Sequence, residues 1–431
     1  MGPPLIPVGT LGCMTDTLPA TDDRGRLFSD ANEWADMNRW HARVAEIRAT
    51  DPVLLVEAPG FAPFHVLTRH ADVFAVSRDN DGWLNTTSSV LGTEADAERM
   101  KASGIIPKSL VHLDGKAHRD HRLVTNDWFK PATVKFRQPR IDELAELFVT
   151  RMRELGGECD FAKDIAQPYT LRVIMDIYGV PESDEALMLE LTQGVFGAAD
   201  PEFLGDAGDP GERVMASVMQ FIQYFTEITE DRRAHPADDL ASVIANGQVD
   251  GCPMGDEERL WYYIIVATAG HDTTSFALAG GLEQLARDPE QLFSLAGDPD
   301  KIGNAAEEIL RWTSPVRHFL RYATHDQEVG GLTVPEGGRV LLSYPAANRD
   351  PAVFSDPESF DVSRPEADKL LSFGVGAHFC LGAQFARREL RTMLRRLSEE
   401  LTHLELAGEP EWALSHFVSG VKHLPIRYRM R

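Results

Sequence analysis

The stretch Phe373-Gly374-Val375-Gly376-Ala377-His378-Phe379-Cys380-Leu381-Gly382 sets one thiol among glycines and apolar residues. It runs directly into a strongly helical segment from Ala383 to about Leu397. Gly374, Gly376 and Gly382 permit positive φ and the close approach of backbone to a flat ligand. A cysteine at the mouth of a helix meets free N–H groups and the positive end of the helix dipole, which favour the metal-binding thiolate. A lone cysteine in a glycine-rich turn reads better as a buried structural thiol. The whole ten-residue pattern raises metal ligation above that reading.

The surrounding chain has an ordinary soluble composition. Its 431 residues are 43% apolar and 26% charged, enough for a large core. A formal net charge of −24 argues against nucleic acid or an anionic membrane as partner. Cys13, Cys159, Cys252 and Cys380 stand apart with no CxxC, against a disulfide framework or structural zinc and compatible with a reducing cytosol. The N-terminus shows no basic leader ahead of an apolar core, and apolar windows such as Trp261–Ala269 are too short to cross a bilayer. A cytoplasmic monomer is expected.

Residues 1–28 read as an irregular arm, and 29–431 as a single large, mainly α domain with a small β-rich part. Helical patterns are expected over Asp30–Ala49, Asp72–Ser77, and then 117–128, 131–154, 169–178, 183–197, 209–234, 238–246, 255–287, 289–295 and 300–313. Short strands are expected at 52–57 and 64–67 around Ala58-Pro59-Gly60, over 328–343 with a turn at Pro335-Glu336-Gly337-Gly338, and near the C-terminus. Between Asp79 and Leu113 clear periodicity is lost, and a loop of that length is usually functional or mobile.

The pattern from Asp256 to about Arg287 is long for a globular helix. Its middle reads Ala269-Gly270-His271-Asp272-Thr273-Thr274. Glycine weakens a helix, and a threonine hydroxyl bonded to the i−4 carbonyl bends it, so a local opening that holds water is expected here. Apolar flanks bury the Asp-Thr pair, which needs a reason.

The motif Phe-Gly-x-Gly-x-His-x-Cys-x-Gly resembles the haem-binding loop of the cytochrome P-450 family, soluble bacterial type. Ala267–Thr274, Arg311-Trp312-Thr313 and Leu342-Ser343-Tyr344-Pro345 extend the resemblance over most of the chain from about Pro52, nearest to the terpineol-hydroxylating branch. It implies haem b (iron protoporphyrin IX), with the Cys380 thiolate as axial ligand. On the long helix it implies that Thr273 stabilises reduced oxygen, that Asp272 relays protons, and that Ala269 and Gly270 leave room for O₂. His118 and Arg122, at i, i+4, together with Arg321 and His378 match the family's haem-carboxylate donors, and Phe373, Gly374 and Gly382 its cysteine loop. Glu308 and Arg311 match its structural Glu-x-x-Arg pair, which Arg364 completes.

The same resemblance maps a substrate wall onto Val90, Ile105, Phe196, Ile265, Thr268, Ala269, Val316, Phe319, Phe417 and Val418. These residues suit a monoterpenoid or an alkyl-substituted or fused aromatic hydrocarbon, each position being about as readily plain core. The 85–112 and 198–210 stretches match the branch least. No GxGxxG dinucleotide fingerprint follows a strand, so electrons are expected from an iron–sulfur ferredoxin and its NAD(P)H-dependent reductase. Arg387, Arg388, Arg391, Arg395 and Arg396 make the helix after Cys380 basic in an acidic chain, a docking face or a solvated surface in about equal measure. The leading reading is a haem-thiolate monooxygenase. A peroxygenase is disfavoured by the intact Asp272–Thr273 pair, and a haem sensor or carrier would need neither that pair nor a donor face.

Overall fold

The computed structural model describes residues 23–85, 88–104, 107–197, 199–204 and 208–431, with the side chain of Phe196 also left out. Its axis is the helix Asp256–Arg287. Thirty-two residues at 1.5 Å each carry it ~48 Å through the body. Asp256, Glu257 and Glu258 in the first turn and Arg287 in the last complement the helix dipole. Its middle and C-terminal half are buried round most of their circumference, because neighbours cover it on several sides. The helices Gln167–Tyr178, Glu185–Phe196, Pro210–Ala234 and Pro299–Thr313 pack on it, and Ala383–Glu400 touches it from the cysteine side.

A five-stranded sheet lies to one side, in the order Val53–Val56, Phe64–Leu67, Arg339–Ser343, His318–Ala323, Trp83–Leu84. The first pair is an antiparallel hairpin turned at Gly60 (φ 80°). Phe64–Leu67 runs parallel to Arg339–Ser343, and the remaining pairs are antiparallel. A second sheet joins Leu401–Leu406, Pro425–Met430 and Glu158–Asp160. The main core surrounds the long helix, and a smaller one, with Leu27, Trp34, Trp40 and Leu91, lies against the five-stranded sheet.

Most expected helices form within a few residues of their expected bounds. Three expectations change. Residues 1–22 lie outside the described residues, but Asp23–Ser29, inside the expected arm, is a helix whose Leu27 and Phe28 are buried. The pattern Asp30–Ala49 breaks at Asp36, whose side chain accepts from the Arg39 N–H and starts the helix Met37–Thr50. Inside the 79–113 stretch the helix Glu94–Ser103 forms with no buried residue, which is why apolar periodicity did not reveal it. Its signal is the cap: Thr93 and Asp96 form a capping box, and Gly104 at φ 71° ends it. The turn expected at Pro335–Gly338 forms between Leu332–Val334 and Arg339–Ser343, the Gly338 N–H donating to the Pro335 carbonyl at 2.8 Å, and a further hairpin, Gln327–Val329/Leu332–Val334, turns at Gly330-Gly331.

Candidate active site

The cysteine loop is held in place by its backbone. The Cys380 N–H donates to the Phe373 carbonyl at 2.9 Å. Gly374 (φ 63°) and Gly376 (φ 79°) occupy the left-handed region. A Cβ on Gly376 would meet the Ser77 carbonyl oxygen at 2.8 Å, so the loop packs directly on the helix His70–Arg78. Gly382 differs from expectation: its φ is −80°, and a Cβ there would meet no protein atom within 4 Å. Its value is the clearance it leaves, not its dihedral freedom.

Cys380 has exposed surface, yet burial is the main influence on its thiol. The two agree once the cavity is considered, because the residue lines an interior cavity of about 340 Å³. Burial raises the thiol, against the N–H groups of Gly382 and Ala383 and the charges of Arg122 and Arg387, which pull it down. The helix mouth therefore does not by itself win the thiolate. Coordination to a metal cation would supply the remaining drive, since metal binding displaces the proton.

A buried scaffold supports the loop from below. Arg311 makes a two-pronged ion pair with Glu308, with Nε–Oε2 and Nη2–Oε1 both at 2.7 Å. Arg364 Nε adds contacts to the same carboxylate at 3.2 and 3.1 Å, and the Asp361 N–H donates at 3.0 Å. Arg311 also donates to the Asn348 carbonyl at 2.9 Å. The Asn348 side chain donates to Ser372 Oγ at 2.8 Å and accepts from the Leu371 N–H at 2.7 Å, immediately before Phe373. One connected network thus runs from Glu308 to the start of the cysteine loop.

His118, Arg122, Arg321 and His378 all line the cavity. The helix Gly115–Asn126 presents His118 and Arg122 one turn apart. The His118 ring lies 4.1 Å from that of His378, and Arg122 donates to the Phe379 carbonyl at 2.7 Å. Burial, with His378 and Arg122 nearby, lowers His118 to about 4, and burial lowers His112, another lining residue, to about 4. Glu389, which sequence reading missed, also lines the cavity, and burial holds its carboxyl well above the usual carboxylate range. At neutral pH His118 and His112 carry no formal charge, whereas Arg122 and Arg321 remain cationic. Arg321 is buried, its described hydrogen bond going to the Leu320 carbonyl at 2.8 Å.

The long helix divides its polar residues between two sides. Ala269, Gly270 and Thr273 line the cavity. Thr273 Oγ1 donates to the Ala269 carbonyl at 2.8 Å, as the i−4 reading expected, but the helix continues unbroken through this turn. Asp272 does not line the cavity: it is buried behind the wall, with Oδ1 3.0 Å from His271 Nδ1 and Oδ2 without a partner. His271 is buried too, and its Nδ1 lies 3.3 Å from Thr192 Oγ1.

Of the expected substrate wall, Val90, Ile265, Thr268, Ala269, Val316, Phe319, Phe417 and Val418 line this same cavity. Ile105 and the side chain of Phe196 lie outside the described residues. Trp261, Ile174 and Ile177 were not anticipated. Trp261 stands one helical turn before Ile265, so spacing could have found it. Ile174 and Ile177 belong to another helix and reach the cavity only through tertiary packing.

The expected basic face differs more. Arg387 pairs with Glu307 through Nε at 2.8 Å, and Arg391 reaches the same carboxylate at 3.1 Å. Arg388 bonds Gln138 at 3.3 Å, Arg395 bonds Asp142 at 2.8 Å, and Arg396 pairs with Glu146 and Glu400. These side chains tie helices together, so the cationic surface is largely neutralised.

The profile described as Cytochrome P450 matches residues 303–420, which hold both Glu308–Arg311 and the cysteine loop. Cytochrome P450-terp of a Pseudomonas species is 38% identical over 393 residues, 89% of this chain and 92% of that protein. The chain belongs to the cytochrome P450 family. A steroid C26-monooxygenase of Mycolicibacterium smegmatis is 34% identical over 365 residues, 81% of this P450 and 89% of the relative. The crystal structure of CYP108D1 from Novosphingobium aromaticivorans aligns with a TM-score of 0.88 at 39% identity, over 95% of this chain and 98% of that one. Mycobacterium marinum CYP268A2, solved in complex with pseudoionone, aligns at 0.85 and 29% identity, over 95% and 100%.

As a P450, the protein is an oxygen-dependent oxidoreductase whose cofactor is haem with a cysteine thiolate as axial ligand. The residues present fit that group. Cys380 is the one described cysteine on the cavity, Gly382 leaves clearance beside it, and Arg122 and Arg321 supply two cations for a dianionic edge. Among the described residues, no helix is long and apolar enough to cross a membrane.

Proposed function

We propose that this P450 is a cytoplasmic monooxygenase that hydroxylates a small hydrophobic molecule, a monoterpenoid or an alkyl-substituted or fused aromatic hydrocarbon, with electrons from a ferredoxin. The observation that carries the substrate class is the charge distribution of the cavity. Its cations at neutral pH are the two arginines suited to the haem carboxylates, which leaves Val90, Ile265, Val316, Phe319, Phe417 and Val418 as an uncharged wall for the substrate. The Mycobacterium marinum relative is solved in complex with pseudoionone, which supports that class. The ferredoxin follows from the family resemblance, and its docking is assigned to the partly exposed ends of Arg391 and Arg395.

Within this reading His118, Arg122, Arg321 and His378 hold the haem carboxylates, and Cys380 holds the iron. Haem so held supplies the reductive activation of O₂ and the transfer of one oxygen atom to a C–H bond, the other leaving as water with two protons. The chain's own residues manage those protons. Thr273 donates its hydrogen to Ala269, so its oxygen presents lone pairs to the cavity. Asp272 sits behind the wall, and a turn of its side chain away from His271 carries a proton toward Thr273.

The test is a screen of terpenoid and aromatic compounds for the low-to-high-spin shift, followed by product analysis with ferredoxin, its reductase and NADH. A monoterpenoid or small aromatic that shifts the spectrum and is hydroxylated supports the reading. Binding confined to charged or steroid-sized compounds overturns the substrate class. Equal product from hydrogen peroxide alone favours the peroxygenase.

A further inference from the structure

Val90 reaches the cavity from a segment that has little regular structure of its own. Trp83–Leu84 pairs with Tyr322 and Ala323, and Ser89 meets the same strand further along. The Leu320 N–H donates to the Ser89 carbonyl at 2.8 Å. At the next position the strand offers a side chain instead of backbone: the Leu91 N–H donates to His318 Nε2 at 3.1 Å. The Leu91 carbonyl accepts from His416 Nε2 at 2.9 Å. Both backbone polar groups of Leu91 are thus held by imidazoles from two other segments, whose rings lie 6.0 Å apart and 12° from parallel.

The tautomers follow from the bonds. His318 accepts at Nε2, so it is neutral with its proton on Nδ1, whereas His416 donates at Nε2. Burial, with His416 adjacent, lowers His318 to about 3, which keeps the accepting lone pair in place at neutral pH. Ser89 and Leu91 are buried at 0% and 2% exposure, and Val90 between them faces the cavity. Each histidine is also the chain neighbour of a cavity-lining residue, His318 of Phe319 and His416 of Phe417. Val316 bridges Val418, the Arg317 N–H donates to the Phe417 carbonyl at 2.8 Å, and the Phe417 ring lies 5.6 Å from both His318 and Phe319.

We propose that His318 and His416 form a clasp on Leu91 that fixes Val90 against the Val316–Phe319 and Phe417–Val418 walls, so that two residues outside the substrate contact set the width the cavity accepts. They are positioning residues for specificity, acting through Val90. The proposal rests on the substrate wall assigned above, so its test uses probes that do not depend on the substrate class.

The variants are His318→Phe, which keeps a ring and removes the acceptor, His318→Gln, which restores an acceptor near the Nε2 position, and His416→Phe. Amide hydrogen exchange at Leu91 is followed in the holoenzyme. Binding of aryl imidazoles of rising width, whose nitrogen binds the iron, is read from the visible spectrum. Loss of one buried hydrogen bond in His318→Phe speeds Leu91 exchange on the order of tenfold, and His318→Gln recovers most of the protection. The same variant, like His416→Phe, tightens the widest imidazole relative to the narrowest. Exchange at Leu91 unchanged in His318→Phe overturns the clasp. Faster exchange with an unaltered ratio of wide to narrow binding overturns its role in specificity. A wild type that binds the imidazoles but no terpenoid or aromatic compound counts against the substrate class and leaves both outcomes decisive here.

Discussion

At the scale of single residues, the site depends on which atoms face the cavity. Thr273 and Asp272 are adjacent in sequence and look like one unit there. A helix turns 100° per residue, so when Thr273 faces the cavity Asp272 faces His271 and the protein interior. Spacing alone revealed the pair; the side to which each residue points depends on how the helix is rotated against its neighbours, which local sequence does not encode. Thr273→Ala removes the cavity hydroxyl without touching Cys380 or the arginines. It is expected to keep haem content and the rate of first-electron reduction while product per NADH falls on the order of tenfold, the missing electrons appearing as peroxide. Unchanged product per NADH would show that Thr273 takes no part in proton delivery.

At the scale of elements, the long helix, the cysteine loop and the helix carrying His118 and Arg122 were legible because each has a fixed local spacing. The helix Glu94–Ser103 was legible only through its capping box, since it buries nothing. Local sequence shows the arginines after Cys380 without their partners, because Glu307, Gln138, Asp142 and Glu146 come from other helices. The Glu308–Arg311 pair gains its weight from tertiary contacts in the same way. Both side chains are fully buried, and Arg364 and the Asp361 N–H complete the carboxylate's partners. Glu308→Gln leaves two buried guanidinium groups without their shared anion, which is expected to destabilise the fold by about 3–5 kcal/mol. Chemical denaturation measures it, and a loss below about 1 kcal/mol would mean that the carbonyl contacts alone hold Arg311 and Arg364.

At the scale of the whole molecule, buried neutral histidines link stability to pH. His318 is lowered to about 3, chiefly by burial, against 6.5 when unfolded. The folded value is the lower one, so the unfolded chain binds more protons between those values. The stability associated with neutral His318 is therefore complete above pH 6.5 and is lost as pH falls toward 3. By pH 4 the loss is on the order of 3 kcal/mol. Denaturation midpoints measured from pH 7 to pH 4.5 are expected to fall less steeply in His318→Gln than in wild type. Equal slopes would mean that His318 is not buried as a neutral ring.

The account as a whole rests on Cys380 as the haem ligand, placed at the cavity by the loop and by the scaffold that begins at Glu308. The carbon monoxide difference spectrum of the reduced protein reads that bond directly. Wild type is expected to give the red-shifted Soret band of a thiolate ligand, and Cys380→Ala to lose it. A wild type without that band, or a Cys380→Ala variant that keeps it, contradicts the assignment.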